Sequence, residues 1–161
     1  MLDLHCHILP EVDDGSHCMA TSLQMAKLLV EAGFQGVAPS PHSGIGPGGD
    51  VSIARACAKR KELKERLAKE EISLELYPNA EHHVSPELFQ KIALGEVVPI
   101  GGKGSWLLVE LPWSYLSQVE HAMFRLQALG FKVLLAHPER YQYLETGMVE
   151  RLVQRLSLIH I

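Results

Sequence analysis

Leu2-Asp3-Leu4-His5-Cys6-His7-Ile8-Leu9 is the stretch on which the reading of this 161-residue chain turns. Its short apolar run predicts a β-strand, and successive strand side chains point to opposite faces. His5 and His7 therefore project together from one face while Cys6 points away. Two imidazoles in that relation suit a shared metal cation, although the pair read alone also fits two ordinary polar strand residues. Immediately beyond, Pro10 to Ser16 has the composition of a turn, and Val12-Asp13-Asp14-Gly15 places carboxylates just past the strand end.

The pattern repeats outward from there. Thr21 or Ser22 is positioned to cap a helix in which Leu23, Ala26, Leu29 and Val30 recur at helical spacing, and Gly33 supplies a stop. Gly36 to Ser40 predicts a second buried strand leading into Pro41-His42. Ser43 to Gly49 is glycine-rich but lacks the Lys-Ser/Thr of a phosphate-cradling loop, so it is expected to be a flexible rim loop. Val51 to Glu71 reads as an amphipathic helix with Ile53, Ala56, Cys57, Leu63 and Leu67 inward. Its basic residues alternate with Glu62, Glu65, Glu70 and Glu71, as on a solvated face rather than a nucleic-acid patch. Leu74 to Ala80 predicts a third strand, leading into Glu81-His82-His83, and Pro86 to Leu94 a short helix. Trp106 to Leu111 predicts a fourth strand carrying Glu110, and Tyr115 to Leu129 a helix closed by Gly130. Lys132 to Ala136 predicts a fifth strand running into His137-Pro138-Glu139-Arg140, and another helix begins at Met148.

Alternating strands and helices imply an α/β protein with a parallel sheet covered by helices. His5, His7, His42, Glu81, Glu110 and His137 all fall at or just past the C-terminal end of a predicted strand, the end at which parallel barrels assemble active sites. A carboxylate such as Glu110 in an otherwise apolar strand needs a cation or a proton. Five strands are too few to close such a barrel, which takes about eight strands and roughly 250 residues.

Composition narrows the function. With 47% hydrophobic and 21% charged residues the chain suits one globular domain. A net charge of −4 and a pI near 6.1 argue against nucleic-acid or anionic-membrane partners. No apolar run reaches eighteen residues and no basic-then-apolar leader opens the chain, so membrane insertion is not expected and a cytoplasmic location is. Cys6, Cys18 and Cys57 form no C-x-x-C pair and leave one over, which speaks against disulfides. Cysteine-dependent phosphatases carry an Arg six residues after the nucleophile. Here those positions hold Val12, Gln24 and Leu63.

Taken together, His5-x-His7, Asp14 in its turn, Pro41-His42, Ala80-Glu81, Val109-Glu110-Leu111 and Ala136-His137-Pro138-Glu139-Arg140 resemble the polymerase-and-histidinol-phosphatase (PHP) superfamily. Within it they look like the capsule-locus, manganese-dependent protein-tyrosine phosphatases of CpsB/CapC type. The resemblance implies a distorted (β/α)7 barrel, incomplete here, holding three ions: manganese first, with iron or zinc as alternatives. His5, His7 and Glu81 match ligands of a first metal, and Glu110 and His137, with the bridging Glu81, those of a second. Asp14 and His42 match two ligands of a third and, with Arg140 as a bidentate phosphate binder, are the candidate catalytic residues. The implied substrate is a phosphotyrosine protein, the tail of a bacterial tyrosine autokinase that controls exopolysaccharide synthesis. A homo-oligomer is left open.

Family members continue into a Ser-Asp-x-His segment that this chain lacks. Residues 1–156 are accordingly expected to be a partial PHP phosphatase domain, and 157–161 a non-native tail in which His160 has no role. Three other readings stay open: a histidinol-phosphate phosphatase with the same metals, a polymerase-associated nuclease that would need a basic groove, and an inert fragment acting as a binding module. Of the remaining histidines, His17, His82, His83 and His121 are expected to line loops or helix surfaces, and the Cys6 thiol to lie in the core.

Overall fold

The structure is a computed structural model and describes residues 1–44, 46, 48–112, 119–141 and 158–159. The strands are β1 (Leu2–Cys6), β2 (Gly36–Pro39), β3 (His42–Ser43), β4 (Glu75–Leu76), β5 (Glu81–His83), β6 (Trp106–Glu110), β7 (Lys132–Leu135) and β8 (Leu158–Ile159). The helices are α1 (Met19–Glu31), α2 (Ile53–Lys69), α3 (Pro86–Leu94) and α4 (Val119–Ala128). All strand pairs are parallel, in the orders β1-β2-β4 and β3-β5-β6-β7-β8. Because β3 follows β2 directly and β5 follows β4, the strands lie side by side in chain order without a reversal.

The second and third expected strands are each broken in two, and proline is the reason. Pro39, Pro41 and Pro78 have no N–H to give to a ladder, so regular pairing stops at each. The gap is stitched by other donors. The Ser40 N–H donates to the Cys6 carbonyl (2.9 Å) and the Glu81 N–H to the Pro41 carbonyl (3.0 Å). The Asn79 amide, 2% exposed, donates to the carbonyls of Leu4 (3.0 Å) and Ala38 (3.4 Å), so one side chain ties three strand segments together.

Helix starts differ in detail from expectation. α1 begins at Met19, with Cys18 rather than Thr21 or Ser22 at the cap position. Ser22 is buried inside the first turn, where its hydroxyl bonds to that of Ser16 (2.8 Å). α2 starts after Ser52, whose hydroxyl accepts from the Arg55 N–H, and α3 after Ser85, whose hydroxyl accepts from the Leu88 N–H. Ala56, Leu63 and Leu67 of α2 are buried as expected, but Ile53 and Cys57 are exposed. Its charged face carries Lys59–Glu62 and Arg66–Glu70 pairs, as a solvated helix does. The expected helix start at Tyr115 and the helix from Met148 lie outside the described residues.

The core has three parts. Leu23, Ala26, Leu63 and Leu67 pack α1 and α2 onto β2 and β4 through Val37, Leu74 and Leu76. Leu88, Met123 and Leu126 pack α3 and α4 onto β6 and β7 through Leu107, Val109, Val133 and Leu135. On the other side of the sheet Leu108, Leu134 and Ala136 meet Leu4. Helices thus cover one face, and the charged strand-end residues stand on the other. Among the described residues no helix is long and apolar enough to cross a membrane.

Replacing Asn79 tests the stitching. Asn79→Ala strands two carbonyls and is expected to lower stability by about 2–4 kcal/mol, read as a lower urea midpoint at unchanged slope.

Candidate metal centre

β1 departs from strict alternation at the point where it matters. Leu4 packs into the inner apolar cluster, Cys6 packs toward the helices, and the register with β2 shifts between Asp3 and Cys6. The Asp3 carboxylate accepts the His5 N–H (3.0 Å), filling the bond the ladder gives up. His5 and His7 then face the same inner side, as their spacing predicts.

Both reach Glu81, the residue at the centre of the site. Its side chain is fully buried. His5 Nε2 lies 3.2 Å and His137 Nε2 2.9 Å from Oε1, while His7 Nε2 and His42 Nδ1 each lie 3.2 Å from Oε2. Burial by itself would raise the Glu81 pKa, but the surrounding imidazoles, His137 first, hold it well below the usual carboxylate range. Burial likewise favours a neutral His7, yet its bond to Asp13 and the adjacent Glu81 charge outweigh this and push its pKa up to about 10.

A second ring of contacts fixes these imidazoles. Asp13 Oδ2 lies 2.8 Å from His7 Nδ1, and Asp13 Oδ1 accepts the Gly15 N–H (3.1 Å). The Asp13 carboxyl is held below its ordinary range, chiefly by His7 acting against burial. His42 Nε2 faces the exposed Asp14 (3.2 Å) while its Nδ1 faces Glu81 and, at 3.9 Å, Glu110. Glu110 closes β6 and lies 3.3 Å from His83 Nδ1 and 3.7 Å from His137 Nε2. His137 adopts a left-handed backbone (φ 31°) before Pro138, an uncommon conformation for a non-glycine residue that turns its ring toward Glu81. The Leu111 N–H donates to the buried Tyr141 hydroxyl (3.0 Å), anchoring that turn to the end of β6. Two glycines let backbone approach the ligand histidines closely, since a Cβ on Gly15 would overlap the Cβ and carbonyl of His7 and one on Gly48 the His42 imidazole.

This donor set suits divalent cations. Ligands bound to one ion at 2.0–2.2 Å stand roughly 3–3.5 Å apart, which is the spacing around Glu81. Glu81 Oε2 carries the sharper signal: two imidazole nitrogens are 3.2 Å away, but neither meets hydrogen-bond geometry, so the buried oxygen is left without a hydrogen-bond partner. A cation held among the three atoms would satisfy all of them. Three groups have donor atoms within 4.8 Å of one another: His5, His7 and Glu81; His7, Asp14 and His42; and His42, Glu81 and Glu110. A neutral imidazole has one lone pair, so His42 serves one of its two groups. His137, near both Glu81 and Glu110, can take its place in the third and leave His42 to Asp14.

The structure thus brings together all seven proposed ligands. Arg140, the proposed phosphate binder, is exposed in the turn after His137, and no carboxylate pairs with it among the described residues. Two expectations need correction. His82 is no surface residue: it is buried, bonded to the Val98 carbonyl (3.2 Å), and its pKa is pushed down to about 4 by burial. His83 sits half-buried beside Glu110. At the ends of the glycine-rich stretch, the Gly44 N–H and Lys91 Nζ both bond to Asp50 (2.8 and 2.7 Å), and the Val51 N–H donates to the His42 carbonyl (2.9 Å). Sequence reasoning missed Asp13, although the signal was present in the doubled Asp13-Asp14. Cys6 packs against the apolar cluster under α1 and α2, in line with the core position expected for it, and its thiol is pushed up to about 12 by burial and nearby carboxylates.

The fold and site define an α/β protein of parallel strands with a histidine–carboxylate centre of metal-binding type at the strand ends. The family model for capsular polysaccharide synthesis, CpsB/CapC, matches residues 1–161, and the chain belongs to that family. It is 32% identical over 143 residues to tyrosine-protein phosphatase YwqE of Bacillus subtilis (strain 168), covering 87% of this chain and 55% of that protein. It is 27% identical over 141 residues to the putative tyrosine-protein phosphatase CapC of Staphylococcus aureus, covering 87% and 54%. The chain spans about half the length of these relatives. Among solved structures it superimposes with a TM-score of 0.91 at 29% identity, over 100% of this chain and 66% of the other. That structure comes from work on YwqE of Bacillus subtilis and CpsB of Streptococcus pneumoniae, described as unique metal-dependent tyrosine phosphatases.

Two measurements probe the centre. Asp13→Ala frees the His7 ring and is expected to weaken divalent-ion affinity about 10–100-fold, read by competition with a chelating indicator. In the metal-free chain His7 carries a proton at neutral pH. Its attraction to Asp13 and Glu81 is fully present below pH 6.5 and is lost as pH rises through about 10. Metal uptake at pH 7 should therefore release about one proton, seen as a calorimetric enthalpy that varies with the buffer's ionisation enthalpy.

Proposed function

We propose that the full-length protein is a cytoplasmic, manganese-dependent protein-tyrosine phosphatase that acts on a tyrosine autokinase controlling capsular exopolysaccharide synthesis. The observation that carries this reading is the buried Glu81 at the focus of four imidazoles from separate strand ends. The tyrosine-phosphatase names of the relatives favour it over histidinol-phosphate hydrolysis. Strands in unbroken chain order support an unfinished PHP-type barrel, since a doubly wound sheet reverses its order at a switch point.

In this reading His5, His7 and Glu81 hold one ion, Glu81, Glu110 and His137 a second, and Asp14 and His42 a third. Such ions supply an acidified water and a clamp on the phosphoryl oxygens. The chain's own residues then set the geometry. Asp13 fixes the His7 ring and tautomer through Nδ1, leaving Nε2 free to ligate. The His137 turn presents Arg140 at the rim, where its planar guanidinium suits two phosphate oxygens at once. Phenolate, with a reference pKa near 10, leaves readily, so a strong general acid is not needed. In this reading no thiol takes part: Cys6 is partly buried with its pKa raised, and no Arg stands six residues after any cysteine.

Manganese-loaded full-length protein should release phosphate from a phosphotyrosine peptide, and from histidinol phosphate far more slowly. Glu81→Gln should lower kcat/KM by roughly a thousandfold, while Cys6→Ser leaves it within about twofold. Absence of phosphate release from the peptide would reject the reading.

A further inference from the structure

A second feature on the same rim has no part in holding metal. A cavity of about 350 Å³ opens between the starts of α3 and α4 and the end of β6, walled by His83, Pro86, Phe89, Pro112, Ala122 and Arg125. Its inner wall is shared with the metal centre, since the His83 ring that lines it lies 3.3 Å from Glu110. The other walls are mostly apolar or aromatic, with Ser85, His121 and Arg125 the polar exceptions. The Arg125 guanidinium lies 3.9 Å above the centroid of the Phe89 ring, and no carboxylate among the described residues pairs with it.

We propose that this cavity receives the aromatic ring of the phosphate ester, so that Phe89 and Arg125 select aryl over alkyl phosphates. The proposal rests on the phosphatase reading above and adds the element that sets its specificity. With the phosphoryl group at Glu110 and its neighbours, a phenyl ring extends the ester past His83 into a slot whose prolines and Phe89 bury its faces. The stacked guanidinium adds a planar, weakly hydrated wall that attracts a π-face. A serine ester has only one carbon beyond the ester oxygen and would need its backbone to enter the slot. The apolar lining therefore penalises it through stranded peptide groups.

Binding of non-hydrolysable phosphonates to the manganese-loaded chain tests this without turnover. By calorimetry, phenylphosphonate should bind about tenfold or more tightly than methylphosphonate, which is too small to reach the cavity. Arg125→Ala, an exposed change that does not threaten folding, should cut that ratio severalfold, and Ala122→Phe, which fills the slot, should bring it close to one. Both effects should come from the phenyl compound. A wild-type ratio near one, or a ratio indifferent to both substitutions, overturns the cavity's role while leaving methylphosphonate binding, and with it the phosphatase reading, intact. Failure of both phosphonates to bind would bring down the phosphatase reading and the proposal together.

Discussion

A carboxylate with its side chain fully buried is the constraint around which this molecule is organised. Glu81 is dehydrated, and leaving a dehydrated charge uncompensated costs several kcal/mol. The chain meets that cost with imidazoles brought from β1, from the start of β3 and from the turn after β7. These segments are separated by whole helices in sequence, so the site and the strand order are one arrangement: if the sheet did not form in chain order, Glu81 would have no partners. The converse also holds. Four basic groups around one acid, with one oxygen still lacking a hydrogen bond, form a cluster that is incompletely satisfied without a cation.

The irregular backbone lies where the chemistry does. β1 slips register beside Asp3, β2 and β4 break at prolines, and His137 takes a left-handed conformation. A regular strand presents every second side chain to one face, which would give one or two inward ligands per strand end at fixed spacing. Each departure adds a ligand or re-aims one. Asp3, Asn79 and Tyr141 then replace the hydrogen bonds that the departures forfeit, which is why polar groups are buried at these places.

This division also explains what the sequence could reveal. Alternation placed His5 and His7 together and Cys6 apart, and the recurrence of His, Glu and Asp at successive strand ends located the rim, because both follow from local periodicity. The strand breaks were partly hidden, since Pro39, Pro41 and Pro78 sit inside runs whose apolar content still reads as continuous strand. The division of roles between Asp13 and Asp14 was not legible, although the doublet itself was. Two adjacent carboxylates have the same composition signal, and only the fold shows Asp13 behind His7 and Asp14 in front of His42. His82 and His83 fail for the same reason as each other. Whether a doublet after a strand continues it depends on pairing with β3 and β6, which no local pattern reports.

Charge balance connects the centre to the cations it suits. Asp13, Asp14, Glu81 and Glu110 supply four negative charges at or directly behind the site, with neutral imidazoles completing the ligand set once a cation is bound. Divalent cations held among these groups would offset those charges. Around Glu81, whose side chain is fully buried, that compensation acts at low effective dielectric, which is why the uncompensated carboxylate calls for a cation there. Arg140, exposed in the turn that follows His137, adds a positive charge next to this acidic cluster.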